Sequence, residues 1–328
     1  MIGALILSFV LLYFAVMIAW ILWHLLNDTA TRMLAHDQNK LRGKNATLSE
    51  TQDKGEFTIT HTMEDGIEQI HYSPKHPRHK TPILMAHGMW HGARCWQAWQ
   101  EILAEHGWES ISYSLPGHGK SLLQRSLTRC TLAYYLAFVR DEINRLPRKP
   151  ILMGHSMGGA LSQWALKYVC DDLPAVILVA PWVSHAVLSD APYRIIILDP
   201  IGIAMMYVTW NANSWIRTPE IAAKKLITSG AILTPDELRK QLTGESALVI
   251  FQHNPPFWSP AEKTTVPMLV LAGEKDAVVT VDGLRKSAAH YKADFLSVPE
   301  AGHNIMMEKS YRETVLAIDD WLNKKQIT

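Results

Sequence analysis

Three residues, spread over the middle and the end of the chain, have the types and the order that nucleophilic catalysis needs: Ser156, Asp276 and His303. A serine hydroxyl is a weak nucleophile until a base removes its proton. A histidine can accept that proton and return it to the leaving group, while a carboxylate fixes the histidine tautomer and stabilises the imidazolium. We therefore predict Ser156 as nucleophile, His303 as base and Asp276 as the carboxylate.

The residues around Ser156 provide the strongest support for this prediction. The sequence Gly-His-Ser-Met-Gly-Gly at 154–159 directly follows the apolar run 150–153 and precedes a helix-like run. Between a strand and a helix, Gly-x-Ser-x-Gly forms a tight turn that exposes the serine hydroxyl above a sheet. In chains with this turn the carboxylate and then the histidine follow the serine. Glu274 and Asp190 remain alternatives for the carboxylate.

Two backbone N–H groups are predicted to stabilise the oxyanion of a tetrahedral intermediate. One belongs to Met157, which directly follows the serine. The other should come from the loop after the apolar run 82–86, which reads His-Gly-Met-Trp-His-Gly over 87–92. Because the donor is main chain, a methionine can supply it, and we predict the N–H of Met89.

Several histidine, methionine and tryptophan side chains could line a substrate pocket, although packing alone explains many such residues. The predicted pocket residues are His87, Trp90, His155, Met205, Met206, Trp210 and Trp215. His87 and His91 have the i, i+4 spacing of helical zinc ligands. The glycines that follow both histidines favour a loop instead, so we predict no metal there. Nucleophilic catalysis by a serine also needs no organic cofactor, and we predict none.

The elements that must position these residues form an alternating pattern from residue 56 onward. The predicted strands are 56–61, 67–72, 82–86, 109–115, 150–153, 175–180, 266–272 and 294–298. The predicted helices lie near 94–106, 129–146, 157–170, 282–291 and 309–323. Strands that alternate with helices indicate an α/β fold, with a mostly parallel twisted sheet and helices on both faces.

The segment 183–262 interrupts this alternation because it is rich in proline and has no strong strand run. Ligands bind at the carboxyl ends of the strands in open α/β sheets, so we predict a mainly helical cap there. The remaining domains are then a core of 56–182 and 263–328, a juxtamembrane linker at 27–55, and an N-terminal helix at 1–26.

The N-terminal helix has the composition of a membrane span. From Ile2 to Leu26 there is no Asp, Glu, Lys or Arg. A helix of this length covers about 38 Å, more than the roughly 30 Å of a bilayer's apolar layer. The basic start and short apolar core of a cleaved signal peptide are missing. We predict a single-pass anchor; a buried helix and an uncleaved export signal are the alternatives.

Charges after the span predict its orientation. No basic side chain precedes the span, and four follow it: Arg32, Lys40, Arg42 and Lys44. The positive-inside bias therefore places the bulk of the chain in the cytoplasm. Two glycosylation-type triplets, 27–29 and 45–47, would favour a eukaryotic lumen instead. The polar linker lacks a clear strand pattern and is either a helical extension to Leu41 or a flexible stalk.

Composition excludes several classes of protein. Of 328 residues, 48% are hydrophobic and 19% charged, too apolar for a disordered chain. The formal charge is +1, and the sequence has no basic stripe of the nucleic-acid-binding type, so a nucleic-acid partner is not expected. Three scattered cysteines argue against a disulfide framework and favour a reducing compartment.

Four motifs from about residue 56 to the C-terminus resemble the α/β-hydrolase superfamily. They are His-Gly-x-x-His-Gly at 87–92, Leu-Pro-Gly-His-Gly-x-Ser at 115–121, Gly-His-Ser-Met-Gly-Gly at 154–159, and Asp276 with Gly302-His303. The first two are similar to the capped, lipase/esterase-like branch that includes monoacylglycerol lipases and small-molecule methylesterases. Dehalogenases and epoxide hydrolases of this superfamily use an Asp nucleophile, and the HGGG motif of another esterase branch is absent.

The resemblance implies a serine hydrolase that cleaves carboxylic esters through an acyl-serine intermediate. The predicted N-terminal anchor is a departure from most soluble members of the superfamily. Together with the composition of the cap, it predicts a membrane-anchored enzyme for apolar or lipid-like esters. The expected partners are therefore a small-molecule or lipid ester and the membrane. The same superfamily also uses this triad for acyl transfer, for thioester or C–C bond hydrolysis, and for cofactor-free peroxidation. Some of its members are ligand receptors with slow turnover, and an inactive scaffold is a further alternative.

Overall fold

The structure is a computed structural model that describes residues 2–44, 46–190, 197–262 and 264–328. Within these ranges, nine strands form one sheet in the order β1-β2-β3-β5-β4-β6-β7-β8-β9. The strands are β1 (Leu48–Asp53), β2 (Phe57–Glu64), β3 (Ile67–Pro74), β4 (Ile83–Ala86), β5 (Ser110–Tyr113), β6 (Ile151–His155), β7 (Val176–Val179), β8 (Met268–Gly273) and β9 (Asp294–Val298).

The sheet has a parallel part and an antiparallel part. Strands β4 to β9 pair in parallel, while β1, β2 and β3 form successive antiparallel pairs and β3 pairs antiparallel with β5. Every residue of β4, β6, β7 and β8 is buried, as expected for parallel strands that are covered on both faces. This confirms the predicted α/β fold class.

Helices follow the strands in the predicted order. They are α1 (Ile2–Asn27), α2 (Ala30–Leu34), α3 (Gln97–Glu105), α4 (Leu132–Arg145), α5 (Met157–Tyr168), α6 (Val187–Asp190), α7 (Pro200–Thr209), α8 (Pro219–Leu226), α9 (Pro235–Gln241), α10 (Leu248–Gln252), α11 (Val281–Tyr291) and α12 (Tyr311–Lys324). Helix α3 packs against α12 and α4 against α5, so two helix pairs cover the buried strands.

The turn between β2 and β3 has the conformation that its sequence favours. Glu64 pairs with Ile67, which leaves Asp65 and Gly66 as a two-residue loop. Both loop residues have positive φ, 53° and 75°. Right-handed strand twist favours such a turn, and Asp-Gly is among its preferred sequences.

The polar segment 27–55 differs from both expectations for the linker. Its helix α2 ends at Leu34, and residues Leu48–Asp53 form the edge strand β1. All six residues of β1 are exposed. An edge strand that is held by backbone pairing and buries neither face leaves no alternation of polar and apolar residues in the sequence.

Between β7 and β8, the described residues of 183–262 form the short helices α6 to α10 and a 3₁₀ turn, Ala212–Ile216. Their prolines lie where helices tolerate them: Pro200, Pro219 and Pro235 each stand in the first turn of a helix. The domain boundaries, and the function of this segment as a cap, remain predictions.

Candidate active site

Three predicted side chains meet at the carboxyl end of the parallel strands. His303 Nδ1 lies 2.8 Å from Asp276 Oδ2, and His303 Nε2 lies 2.9 Å from Ser156 Oγ. Because a carboxylate oxygen only accepts, the Nδ1–H donates to Asp276, and Nε2 of the neutral ring accepts from the serine hydroxyl. All three residues are buried, with 2–4% of their surface exposed.

The turn that carries Ser156 is strained and tightly packed. Ser156 has φ 51° and ψ −116° and directly precedes helix α5. A non-glycine residue at positive φ costs energy that the surrounding packing must offset. At Gly158 that packing has no spare room, because a Cβ there would lie 2.2 Å from the carbonyl oxygen of Ala86 in β4. The small residue lets the helix approach the neighbouring strand.

Of the three carboxylates considered from the sequence, Asp276 is the one at the histidine. Its Oδ1 accepts from the backbone N–H of Val278 and Val279, which fixes the carboxylate. Asp190 instead accepts from the backbone and hydroxyl of Thr280, in front of helix α11. Glu274 accepts from the Ser297 hydroxyl at the surface.

His87 holds the peptide that is expected to supply an oxyanion donor. The backbone N–H of Leu115 donates to His87 Nε2 at 3.0 Å, so Nδ1 carries the proton and donates to the Gly88 carbonyl at 2.7 Å. In a trans peptide the carbonyl and the following N–H point in opposite directions. The direction of the Met89 N–H is therefore fixed by His87.

His87 remains neutral, which preserves this arrangement over a wide pH range. Burial lowers the pKa of His87 well below 6.5, and the nearby His118 lowers it further. On the other side of the peptide, Gly88 lies against the serine turn, where a Cβ would be 2.9 Å from Ser156 Cβ.

A second buried histidine, His155, contacts the backbone of His303. His155 Nε2 lies 3.1 Å from the backbone carbonyl of His303, to which it can donate. Burial lowers the pKa of His155 well below 6.5, and His303 and His91 lower it further. The neutral His155 thus contacts the loop of His303, which suits a positioning residue better than a pocket residue.

A narrow apolar cavity of about 40 Å³ lies beside Ser156 and His303. Residues of the core and of helices α6, α8 and α10 form its walls. Two predicted pocket residues, Trp90 and Trp215, are part of the lining. The ring centroids of these two tryptophans are 6.2 Å apart. The lining also includes Met89, Trp182, Val187, Leu188, Leu198, Lys225, Leu226, Ile250, Ala277 and Val278.

The other five predicted pocket residues lie outside the lining formed by the described residues. His87 and His155 are buried, and both make the hydrogen bonds to the backbone that are described above. Met206 is buried in the core, Met205 is 40% exposed on the surface of α7, and Trp210 packs against the N-terminal helix. The spacing of methionine and tryptophan in the sequence does not show whether such a residue lies in the core, at the surface or in the cavity wall.

A charged side chain that the sequence did not reveal belongs to the described lining of the cavity. Lys225 is 4% exposed, and its Nζ donates to Asp199 Oδ2 at 2.6 Å and to the Trp215 carbonyl at 2.7 Å. Arg217 donates to both oxygens of Asp199, at 2.7 and 2.8 Å. In the sequence, Lys225 follows another lysine in an amphipathic helix and resembles a surface residue.

Asp199, Arg217 and Lys225 form ion pairs that connect separate parts of segment 183–262, which we call the cap segment. Burial by itself raises the pKa of Asp199, but hydrogen bonds from Arg217 and Lys225 outweigh it and hold that pKa well below 3.8. Burial lowers the pKa of Lys225, and Asp199 opposes that shift. No group of three or more His, Cys, Asp or Glu side chains suited to a metal ion occurs in the described parts of the chain.

Comparison with known proteins decides the family. The profile described as the alpha/beta hydrolase family matches residues 83–317, more than two thirds of the chain. The chain belongs to the alpha/beta hydrolase family. The matched region of this hydrolase includes Ser156, Asp276 and His303, and the resemblance noted from the motifs is confirmed.

Individual relatives of this hydrolase are distant. A pFDCC methylesterase of Arabidopsis thaliana is 33% identical over 108 residues, which cover 30% of this chain and 38% of that protein. The curated relatives are each matched over 24–40% of their own length.

Many solved structures share the fold, and two of them serve as examples. A monoacylglycerol lipase of Paleococcus ferrophilus has a TM-score of 0.59 at 19% identity, and covers 79% of this chain and 99% of its own. A bacterial membrane phospholipase A has a TM-score of 0.61 at 17% identity, and the likeness covers 100% of both chains.

Proposed function

We propose that this protein hydrolyses carboxylic esters through an acyl-serine intermediate. The observation that carries the proposal is the hydrogen-bonded series from Ser156 through His303 to Asp276 beside an apolar cavity. Membership of the alpha/beta hydrolase family and similarity to proteins named as methylesterase and lipase support it.

In the proposed reaction, Ser156 Oγ attacks the ester carbonyl while His303 accepts the hydroxyl proton. The backbone N–H groups of Met89 and Met157 stabilise the resulting oxyanion. His303 then gives its proton to the departing alcohol, and the acyl group remains on the serine. Next, His303 takes a proton from a water molecule that attacks the acyl-serine. His303 then returns this proton to Ser156 Oγ as the carboxylic acid leaves, which restores the serine hydroxyl. Asp276 stabilises the imidazolium in both steps.

The proposed substrates are apolar or lipid-like esters. The described residues of the cavity walls are aliphatic and aromatic except for the two reacting side chains and Lys225. Burying an acyl chain there removes its methylene groups from water, at about 0.8 kcal/mol each. A lipid ester gains most from such a site.

The test is reaction of the full-length protein in detergent with a fluorophosphonate probe, together with hydrolysis of p-nitrophenyl esters of increasing chain length. Ser156→Ala should abolish labelling and lower kcat by at least about 10³-fold, because the nucleophile is gone. Ser49→Ala, on the exposed strand β1, is the matched control and should leave both unchanged. Labelling that survives in Ser156→Ala would contradict the assignment.

We also propose that helix α1 anchors the protein in a membrane, with the body on the cytoplasmic side. The segment Leu5–Asn27 has a mean hydropathy of 2.7 and the length of a span, and the basic residues follow it. The likeness to a membrane phospholipase A over the whole chain supports the anchor.

Topology can be measured on sealed inner-face-out and outer-face-out membrane vesicles. A protease added outside should digest the body only in vesicles that expose the cytoplasmic face. The membrane fraction should retain the protein after alkaline carbonate washing. Digestion in vesicles of the opposite sidedness would place the body on the other side and show that the charge rule misleads here.

A further inference from the structure

The N-terminal helix does not stand free of the body but docks along the cap segment. The Tyr13 hydroxyl donates to the Val208 carbonyl at 2.9 Å and accepts from Trp210 Nε1 at 3.0 Å. Two turns further along, Ile21 and Leu25 are buried in a cluster with Trp210 and Leu248. One face of α1 is therefore in contact with the end of α7 and with α10.

If α1 spans a membrane, the position of Tyr13 along this helix determines how deep in the apolar layer the cap segment lies. Tyr13 precedes Asn27 by 14 residues, which is about 21 Å along a helix. The part before it, Ile2–Leu12, is about 16 Å long, roughly half of an apolar layer of about 30 Å. If α1 crosses the membrane, its docked half also lies within the apolar layer, and so does the part of the cap beside it.

The surface of the cap has the composition that such a position requires. On helix α7, Ile201 is 64% exposed and Val208 67%, and no charged residue occurs from 200 to 216. A helix of a water-facing surface normally carries charged side chains on its exposed face. A continuous apolar surface of this kind marks an interaction site.

We propose that helix α7 is embedded in the lipid layer beside α1, and that the substrate enters the cavity from that layer. The partner of this surface is lipid, because the surface is continuous with the proposed span. Ile197, 76% exposed, directly precedes Leu198 in the cavity wall. An apolar ester can thus pass from the bilayer to the site without crossing water. The entry route rests on the proposed ester hydrolysis and anchoring.

The location of α7 can be measured with single fluorescent labels on the full-length protein in phosphatidylcholine vesicles. Cys170 is replaced by serine, since the other two cysteines are buried. The environment-sensitive dye NBD is then attached at Val208→Cys, at Phe9→Cys in the proposed span, and at Leu48→Cys on β1. Lipids with brominated tails should quench the dye at positions 208 and 9 to a similar degree and leave position 48 unquenched.

Two outcomes would overturn the proposal. Quenching at position 208 by aqueous iodide, to the extent seen at position 48, would place α7 in water. If neither iodide nor brominated lipid quenches the dye at position 208, then α7 is covered by protein, such as a second copy of the chain, and not by lipid.

The entry route has its own test, with the double variant Ile201→Glu and Val208→Glu. Carboxylates on α7 should lower hydrolysis of a long-chain ester embedded in vesicles at least tenfold, and leave hydrolysis of soluble p-nitrophenyl butyrate unchanged. Unchanged hydrolysis of the embedded ester would overturn the route. If the wild type hydrolyses neither ester, the proposed activity fails, and the quenching still decides where α7 lies.

Discussion

At the scale of single residues, the candidate site includes buried groups that lie behind the cavity lining. His87 connects the Leu115 N–H to the Gly88 carbonyl, and His155 contacts the His303 carbonyl. Both residues are buried and neutral, so their hydrogen bonds keep one direction. In an apolar interior such bonds orient their partners strongly, because a lost partner leaves a buried polar group unpaired.

His87 can be tested by separating its two hydrogen bonds. Asn in place of His87 keeps a donor near the Nδ1 position, whereas Gln keeps an acceptor near the Nε2 position. Because only the donor fixes the Met89 peptide, His87→Gln should lower kcat about 10- to 100-fold with little change in KM, and His87→Asn should lower it less. Steady-state kinetics and thermal unfolding of both variants provide the check.

Equal kcat values for the two variants would show that His87 only supports packing. Thermal unfolding guards against a trivial cause, since each variant loses one buried hydrogen bond and should lose similar stability.

At the scale of elements, Asp199 joins three pieces of the cap segment. Its Oδ1 accepts from the Gly202 N–H at 2.9 Å and caps α7. Its carboxylate also binds Arg217, which follows the 3₁₀ turn, and Lys225 of α8, which lines the cavity. A single carboxylate thus sets how the apolar helix α7 meets the wall of the site.

Asp199→Asn keeps a side-chain acceptor for the helix cap but leaves Lys225 buried without a counter-charge. Loss of one partner from a buried ion pair costs about 3–5 kcal/mol, and we expect a loss of about 3 kcal/mol because Arg217 is partly exposed. Glu237→Gln, an exposed carboxylate that caps α9, should change stability by less than about 0.5 kcal/mol. Urea unfolding of both variants in detergent measures the difference.

The contribution of Asp199 also has a predictable pH dependence. Its pKa is lower in the folded protein than in the unfolded chain. The stabilisation is therefore fully present above about pH 4 and is lost as pH falls below that value. The stability difference between wild type and Asp199→Asn should shrink between pH 4 and pH 2. A constant difference would mean that Asp199 acts through packing.

At the scale of the whole molecule, α1 is part of the folded body as well as a proposed anchor. One face contacts the cap segment through Tyr13, Met17, Ile21 and Leu25. At its end, Asp28 accepts from the Arg125 side chain at 2.5 Å and from the Thr131 hydroxyl at 3.0 Å. The helix, the cap segment and the core are thus linked through both apolar and ionic contacts.

Two matched triple variants separate docking from membrane insertion. Alanine at Tyr13, Met17 and Ile21 removes the docked face, whereas alanine at Phe14, Ile18 and Leu22 changes the exposed face at the same spacing. The first set should lower stability by about 3 kcal/mol through lost packing, and the second by less than about 1 kcal/mol. Thermal unfolding and carbonate washing of both variants provide the measurement. Equal losses of stability would contradict docking.

The sequence by itself determined the fold class. It also predicted that Ser156, Asp276 and His303 meet, with Glu274 and Asp190 as alternatives for the carboxylate. Buried parallel strands leave continuous apolar runs, and the strand-serine-helix motif has a local geometry. Because the strands are parallel, residues just past their carboxyl ends come together at one edge of the sheet. The predicted order of strands, turns and most helices therefore agrees with the structure from residue 56 onward.

Only the tertiary structure decided the rest. Strand β1 gave no periodic signal because it buries neither face, and Lys225 looked like a surface residue until its burial beside Asp199 was seen. Which of Met205, Met206, Trp210 and Trp215 reaches the cavity depends on helix orientation, which composition does not encode. The docking of α1 on the cap segment also joins residues almost 200 positions apart. Contacts across such distances arise from packing of complete elements and leave no local pattern in the sequence.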